Sequence, residues 1–198
     1  MTAQPKTRLT PEEYLAIERA AEYKSEFYNG EMFAMSGASR NHVRIVRNLV
    51  GELRAQLKRR PCDVYSTDLR LRVDETGLYT YPDVMVACAE QKFADDHHDT
   101  LLNPILVIEV LSESTKNYDR GEKFTHYRRI GSLQEYLLVA QDRAHIELHV
   151  RQAGNGWLLT EFDGREAVIR LAAISCVLEA AEIYDKIEFE EEKEKTFY

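Results

Sequence analysis

Residues Tyr81 to Arg129 contain three segments that together indicate the fold: YPDVMVA, then PILVIEVLS after a polar loop, then DRGEKFTHYRR. Residues 105–110 are apolar except for Glu109, and their length and β-branched content predict a buried strand of the kind found inside α/β sheets. A lone carboxylate on such a strand is costly unless it is paired, metal-bound or protonated. The sequence must therefore supply a partner for Glu109.

Two residues are candidate partners for Glu109. Asp83 lies on another apolar segment, directly after Pro82, which cannot donate to a sheet ladder and so marks an edge, a bulge or a strand start. A bulge would point the side chain of Asp83 toward Glu109, where both carboxylates would bind the same metal ion. The alternative is that Asp83 caps a turn. Lys123 follows on a predicted crossover helix, which would pack over the Glu109 strand. A purely structural ion pair between Glu109 and Lys123 or an arginine is the alternative.

Length and composition predict one domain. The chain has 198 residues, of which 44% are hydrophobic and 30% charged, as in ordinary globular proteins. We expect a flexible N-terminus at 1–9, a single domain at 10–185 and a charged C-terminal tail at 186–198. The sequence has neither a signal-peptide pattern nor an apolar run long enough for a membrane span, so we expect a cytoplasmic protein without membrane contact.

The three cysteines, Cys62, Cys88 and Cys176, are widely spaced, odd in number and without a CxxC pair. This pattern favours buried, reduced thiols over disulfides or a structural zinc site.

Charge is distributed unevenly along the chain. The net charge is −8, but the segment from Arg40 to Arg60 has seven basic residues against one acid, a local balance of +6. Such a patch governs encounter with nucleic acid more than total charge does. The acidic tail is either solvated or covers this basic segment. The candidate phosphate contacts are Arg44, Arg47 and Lys58.

The order of predicted elements indicates a mixed α/β fold, a mixed β-sheet flanked by helices. Thr10 and Glu13 form a capping box for the first helix, and Asn29-Gly30 is typical of a type I′ hairpin turn. Apolar residues at the 3.6 period predict a long amphipathic helix. The main predicted elements are a helix at 11–23, a hairpin at 27–33, helices at 41–59 and 119–130, and strands at 79–87, 105–110 and 135–140.

Convergence of Asp83 and Glu109 would suit a hard divalent cation. Mg²⁺ prefers oxygen ligands, typically one or two carboxylates with waters and phosphate oxygens, and Mn²⁺ could replace it. Such an ion lowers the pKa of bound water and neutralises charge on a phosphate. Lys123 would orient that water or stabilise the transition state.

The same residues resemble the PD-(D/E)XK signature of restriction-endonuclease-like nucleases. The ordered set of motifs over residues 10–180 is similar to the Uma-two family of bacterial restriction-endonuclease-like proteins. The resemblance implies the restriction-endonuclease-like fold, Asp83 and Glu109 as metal ligands, and Lys123 as a migrated replacement for the usual lysine, whose position is taken by Leu111. The motifs are NGE at 29–31, SxxSxxH at 36–42, YPDV at 81–84, VIEVLSxST at 107–115, YDRGEKxxxY at 118–127 and EYLLV at 135–139.

Two further residues are candidates for catalytic support. Glu31 follows the Asn-Gly turn and would approach the site as a third carboxylate, as the family pattern suggests, or lie exposed on the hairpin. His42 lies in the first helical turn, where phosphate binding is favoured, or acts as a cap or a surface residue. Asp119 is expected to cap its helix. The acidic loop with His97 and His98 is expected to be solvated rather than metal-binding.

The leading hypothesis is a Mg²⁺-dependent endonuclease acting on DNA, and a homodimer because double-strand cutting needs two active sites. A nuclease-fold DNA-binding module without catalysis is the alternative, and Leu111 favours it. A structural protein that binds no nucleic acid is a third possibility.

Overall fold

The structure is a computed structural model that describes residues 8–189. The remaining residues of the predicted flexible N-terminus and charged tail lie outside this range. Within it, the N–H of Leu9 donates to the carbonyl of Gly30 at 3.0 Å. Ile187 and Phe189 are buried in the core, so the described chain is packed against the domain at both of its limits.

The described chain contains thirteen strands, most of them short. In chain order they are β1 (Ser25–Tyr28), β2 (Glu31–Ala34), β3 (Cys62–Ser66), β4 (Arg70–Val73), β5 (Leu78–Thr80), β6 (Val84–Cys88), β7 (Thr100–Leu101), β8 (Leu106–Leu111), β9 (Glu135–Ala140), β10 (His145–Arg151), β11 (Trp157–Asp163), β12 (Val168–Leu171) and β13 (Cys176–Glu179).

The described chain also contains five α-helices, two of which are short and are joined by a π-helical turn, Asp119–Lys123. No helix within residues 8–189 has both the length and the apolarity needed to cross a membrane. The α-helices are α1 (Pro11–Ala20), α2 (Arg40–Leu57), α3 (Lys116–Tyr118), α4 (Phe124–Tyr127) and α5 (Ala180–Ile183), with 3₁₀ turns at Ala153–Asn155 and Ala172–Ile174.

The strands form two larger sheets and a small one. The six-stranded central sheet has the order β11-β10-β9-β8-β6-β3, the five-stranded sheet has the order β2-β1-β5-β4-β7, and β12 pairs with β13. In the central sheet β8 and β9 run parallel, while the other neighbours are antiparallel. The expected mixed β-sheet flanked by helices is confirmed.

Strand β8 lies between two apolar layers. Ile108 and Val110 belong to the same buried cluster as the apolar stripe of α2, which includes Leu49. Val107 and Leu111 belong to the opposite cluster, formed with the five-stranded sheet and the helical segment 116–127. Because both faces are covered, β8 is a continuous apolar run, as predicted. Glu109 shares its face with Leu111.

Local sequence signals correctly predict several boundaries. The side chain of Thr10 accepts from the N–H of Glu13, and the capping box is complete. The β1–β2 hairpin turns at Asn29 and Gly30, whose φ angles of 49° and 79° match the positive values that this turn requires. Helix α2 spans Arg40–Leu57, close to the predicted 41–59, and the side chain of Ser39 caps it.

Three predicted elements differ from the structure. The helix predicted at 11–23 ends at Ala20. The strand predicted at 79–87 is split into β5 and β6, which belong to different sheets, because Pro82 interrupts the ladder between them. The helix predicted at 119–130 begins at Lys116 and ends at Tyr127, with the π-helical turn inside it.

The prediction of reduced cysteines is wrong for two of the three. Cys62 and Cys88 form a disulfide, while Cys176 is free and buried. The antiparallel register of β3 and β6 places Cys62 directly opposite Cys88. This pairing depends on tertiary strand order, so neither the cysteine count nor the absence of a CxxC motif could reveal it.

Candidate active site

Asp83 and Glu109 lie next to each other where two antiparallel strands meet. The β6–β8 register pairs Val84 with Ile108, so the next step of the ladder brings Asp83 beside Glu109. The N–H of Asp83 donates to Oε2 of Glu109 at 3.4 Å. The N–H of Val110 donates to Oδ2 of Asp83 at 2.7 Å. The two carboxylates therefore converge.

Lys123 and Tyr127 hold the other oxygen of Glu109. Nζ of Lys123 lies 2.9 Å from Oε1 of Glu109, and the hydroxyl of Tyr127 donates to the same oxygen at 2.7 Å. The side chains of Glu109 and Lys123 are only 5% and 7% exposed. Taken alone, this geometry fits both a structural ion pair and a reactive cluster.

The π-helical turn carries Lys123 toward β8. It spans Asp119–Lys123, and both of its end residues are buried. The i→i+5 bonding of a π turn widens the helix locally, and such turns are frequent at functional sites. Lys123, predicted to lie on the helix after the Glu109 strand, thus lies on the helical segment 116–127 and contacts Glu109 directly.

Two more carboxylates share the ammonium of Lys123. Oε1 of Glu26 lies 3.3 Å away, and Oδ1 of Asp119 lies 3.6 Å away. Glu26 is not among the residues predicted for the site, although the alternation of Ser25–Tyr28 before the Asn-Gly turn places Glu26 on one face of the hairpin. Asp119 is expected from the sequence to cap its helix, whereas its i,i+4 spacing to Lys123 is the sequence signal for the contact that the structure shows.

The charges of this cluster are unbalanced. Burial raises the pKa of Glu109 to about 8, with Lys123 opposing the rise and Asp83 and Asp119 adding to it. Burial also raises the pKa of Asp119. Burial disfavours the charge on Lys123, but Glu109, Glu26 and Asp119 outweigh it and raise the pKa of this lysine well above its usual value. Three carboxylates contact one lysine, and Asp83 lies beside Glu109, so a further cation would stabilise their ionised forms.

His42 contacts the second candidate ligand. Its Nε2 lies 2.9 Å from Oδ1 of Asp83, and the two side chains are 15% and 14% exposed. The N–H of His42 donates to the Ser39 side chain that caps α2. The first turn of α2 therefore lies beside Asp83, which brings a helix N-terminus to the site.

Glu31 lies on the same side of the β1–β2 hairpin as Glu26. The register pairs Glu31 with Tyr28, and residues directly opposite on paired strands share a face. Glu26 lies two residues before Tyr28 on β1 and therefore shares that face as well. The ring of Tyr28 contacts His126 at 4.7 Å between centroids. The hairpin face that carries Glu31 therefore points toward the segment that carries Lys123.

The three predicted phosphate contacts lie along α2. Arg44 donates to the carbonyl of Lys186 at 2.8 Å, and Arg47 donates to the side chain of Asn48 at 2.8 Å. Lys58 is exposed at the C-terminal end of α2. Arg44 is thus engaged by the C-terminal segment, whereas Arg47 and Lys58 lie on the exposed surface.

The acidic loop before β8 pairs with arginines. Arg19 contacts Asp95 at 2.6 Å and Asp99 at 2.8 Å, and Arg70 also contacts Asp99 at 2.8 Å. The hydrogen bond from Arg19 and the charge of Arg70 hold the pKa of Asp99 well below its usual range. Asp95 and Asp99 are therefore engaged by arginine side chains.

The donor set suits a hard divalent cation at Asp83 and Glu109. Both side chains offer carboxylate oxygens, the ligand type that Mg²⁺ takes. Among the described residues, Oε2 of Glu109 accepts only the long bond from the N–H of Asp83. The excess of acids around Lys123 also favours a cation. Leu111, on the face of Glu109, is buried and contributes no donor.

The motif pattern agrees with a family match. Residues 11–181 match the family described as "Uma2: Putative restriction endonuclease". The chain belongs to the Uma2 family. The resemblance seen in the sequence is therefore confirmed over most of the chain.

Two relatives from Synechocystis sp. share much of this sequence. Uncharacterized protein sll1609 is 42% identical over 164 residues, which cover 83% of this chain and 93% of the relative. Uncharacterized protein slr1290 is 36% identical over 162 residues, which cover 82% of this chain and 84% of the relative.

A solved structure has the same fold. It is the crystal structure of a protein from Anabaena variabilis described as "a putative nuclease belonging to DUF820". The TM-score is 0.75 at 19% sequence identity, and the match covers 91% of this chain and 99% of the other. This likeness supports the fold, a mixed sheet with flanking helices.

Proposed function

We propose that this protein is a divalent-metal-dependent endonuclease that hydrolyses phosphodiester bonds in DNA. The observation that carries the proposal is the convergence of Asp83 and Glu109, with Nζ of Lys123 2.9 Å from the Glu109 carboxylate. Membership of the Uma2 family supports the reaction class.

Each residue of the cluster has a distinct role in this proposal. Asp83 and Glu109 hold Mg²⁺, or Mn²⁺ in its place, and Glu31 approaches as a third carboxylate. When bound, the ion would supply positive charge that lowers the pKa of a water molecule and neutralises charge on the phosphate. Lys123 orients the attacking water or stabilises the charge that develops in the transition state. Lys123 thereby takes the role of the lysine that the motif usually has at the position of Leu111.

The long helix α2 is the proposed phosphate-binding element. His42 positions Asp83 through its 2.9 Å contact, next to a helix N-terminus that favours phosphate. Arg44, Arg47 and Lys58 follow along the helix, and about 24 Å of helix axis separates His42 from Lys58 at 1.5 Å per residue. Arg44 reaches a phosphate only after releasing the carbonyl of the C-terminal segment.

Cleavage of supercoiled plasmid DNA in Mg²⁺ or Mn²⁺ tests the proposal, with a chelator as the negative control. We expect nicked or linear product, and Asp83→Asn should reduce the rate by at least about 100-fold because it removes a ligand charge. Asp63→Asn is the matched control, since Asp63 is exposed on the edge strand β3. The proposal fails if cleavage is absent with both ions, or if Asp83→Asn cuts like the parent.

A DNA-binding module without catalysis is the second candidate. This candidate is favoured because Lys123 and Tyr127 already contact Oε1 of Glu109. Leu111 at the position of the usual lysine favours it too. A salt-dependent gel shift without calorimetric Mg²⁺ binding would select this candidate. Absence of a gel shift at low salt would exclude both candidates, because phosphate contacts are strongest there.

A homodimer is the proposed assembly for double-strand cutting, since each active site cuts one strand. Light scattering in the presence and absence of DNA measures the mass directly. A dimer should give linear plasmid in a single encounter, whereas a protein that stays monomeric should accumulate the nicked form.

A further inference from the structure

A second group of metal-ligating side chains lies on the β10–β11 hairpin. One ligand atom each from His145, Glu147 and Glu161 lie within 4.8 Å of one another. Nε2 of His145 is 3.4 Å from Oε1 of Glu147 and 3.7 Å from Oε1 of Glu161. Two ligands of one tetrahedral ion lie about 3.3–3.6 Å apart when its bonds are about 2.0–2.2 Å long. The 3.4 Å separation falls within this range and the 3.7 Å separation lies just above it, so the three side chains are close to the spacing of ligands on a common ion.

The strand register brings these side chains to one face. His145 lies opposite Asp163, and Glu147 lies opposite Glu161, while alternate residues of each strand share a face. Like charges placed directly opposite on neighbouring strands repel each other. The facing pair of Glu147 and Glu161 thus favours a cation between them.

The orientation of His145 is a separate indication. This histidine is 8% exposed, and its Nδ1 lies 2.7 Å from Oδ1 of Asp163. When Nδ1–H donates to that carboxylate, Nε2 is left with a lone pair facing Glu147 and Glu161, which are also acceptors. Among the described residues, no donor forms a hydrogen bond to Nε2. A carboxylate that fixes a histidine in this way is a recurring feature of metal sites.

Arg120 balances only part of the negative charge. Its Nε and Nη2 both donate to Oε1 of Glu147, at 2.8 and 2.5 Å. These two bonds engage the oxygen that faces Nε2 of His145, and among the described residues no donor forms a hydrogen bond to Oε2, which is the oxygen that remains for a metal ion. Glu161 is 59% exposed, so its side chain can rotate toward the same ion.

A cavity of about 370 Å³ adjoins the three ligand side chains. Its lining also includes Leu111 and Ala140, at the ends of β8 and β9, and the basic side chains Lys116, Arg120 and Arg143. This space accommodates the waters or the small anion that would complete the coordination of a metal ion.

We propose that His145, Glu147 and Glu161 form a second divalent-metal site, for a first-row transition ion such as Zn²⁺, with Asp163 orienting the imidazole. An imidazole nitrogen with two carboxylates suits such ions, whereas Mg²⁺ prefers oxygen ligands alone. The site is separate from Asp83 and does not depend on the proposed nuclease activity.

The test uses the metal-free, full-length protein titrated with Co²⁺, whose visible absorption reports nitrogen and carboxylate ligation, followed by displacement with Zn²⁺. Thermal unfolding is recorded in parallel, because an ion that binds only the folded state raises the melting temperature. We expect one strongly absorbing Co²⁺ per chain. Glu161→Gln should weaken binding by about tenfold or more, and Asp163→Asn by about 10-fold to 100-fold.

Two control variants make the result decisive. Glu90→Gln changes an exposed acid outside the cluster and should bind Co²⁺ as the parent does, whereas Asp83→Asn removes a ligand of the other proposed site and should leave the absorption from the His145 site in place. The proposal is overturned if Co²⁺ gives no ligation spectrum, or if Glu161→Gln and Glu90→Gln bind equally. It is also overturned if Asp83→Asn, rather than Glu161→Gln, removes the cobalt signal.

Discussion

Replacing Lys123 with methionine removes an ammonium that three carboxylates share. Its Nζ lies 2.9 Å from Glu109, 3.3 Å from Glu26 and 3.6 Å from Asp119, and the residue is 6% exposed. Methionine keeps most of the apolar packing of the stem, so the loss is mainly electrostatic. Breaking a buried ion pair costs about 3–5 kcal/mol, and we expect Lys123→Met to lower the free energy of unfolding by about 3 kcal/mol.

Protonation of Glu109 makes this cost depend on pH. Burial already raises the pKa of Glu109 to about 8, and the loss of Lys123 raises it further. Below that pKa the carboxyl is neutral and needs no cation, whereas above it an unpaired charge is buried. The destabilisation by Lys123→Met should therefore be smaller at pH 6 than at pH 9.

Urea unfolding at both pH values measures the effect, with fluorescence of the single tryptophan, Trp157, and circular dichroism as probes. Lys116→Met is the matched control, because Lys116 pairs with Glu113 at 2.8 Å on the surface, where the two side chains are 36% and 83% exposed. Such a pair contributes about 0–1 kcal/mol. Equal losses in the two variants, or a loss for Lys123→Met that does not change with pH, would refute the reasoning.

Three further predictions concern the site and the sheet. In the metal-free protein Glu109→Gln should gain stability relative to the parent as pH rises from 5 to 8, by up to about 1 kcal/mol per pH unit, since folded Glu109 keeps a proton that the unfolded chain releases. Urea titrations over this pH range measure the difference in free energy of unfolding between variant and parent, and a difference that does not change with pH would mean that the Glu109 carboxyl is ionised throughout. Replacing Cys62 and Cys88 by serine should cost about 3 kcal/mol and abolish the effect of a reductant on the thermal melt, and a parent melt that ignores the reductant would contradict the cross-strand bond. His42→Asn should weaken Mn²⁺ binding by about 10-fold to 100-fold in calorimetry through its contact with Asp83, and unchanged affinity would remove the positioning role.

The parts of the fold that sequence reasoning anticipated have local causes. The β8 run is apolar because both of its faces are covered, and the cost of Glu109 demands a nearby partner. The 3.6 period of α2, the capping box at Thr10 and the turn at Asn29 depend only on neighbouring residues. For the same reason these features are readable without any knowledge of tertiary contacts.

The parts that were missed depend on which strands become neighbours. Apolar residues on either side of Pro82 look alike, although they belong to two sheets. The Cys62–Cys88 bond follows from the β3–β6 pairing. Glu26 joins the site only because the five-stranded sheet packs beside the segment of Lys123, a relation that no local pattern encodes.

Calorimetric titration with Mn²⁺ at pH 7 tests directly whether Asp83 and Glu109 bind one cation between them. Glu161→Gln is the background, so that the β10–β11 cluster does not contribute, and two buffers of different ionisation enthalpy reveal proton release. We predict one bound Mn²⁺ with release of a proton from Glu109, and loss of both signals in the Asp83→Asn, Glu161→Gln double variant. Equal Mn²⁺ binding with and without Asp83→Asn, or no binding at all, would contradict a cation held between Asp83 and Glu109.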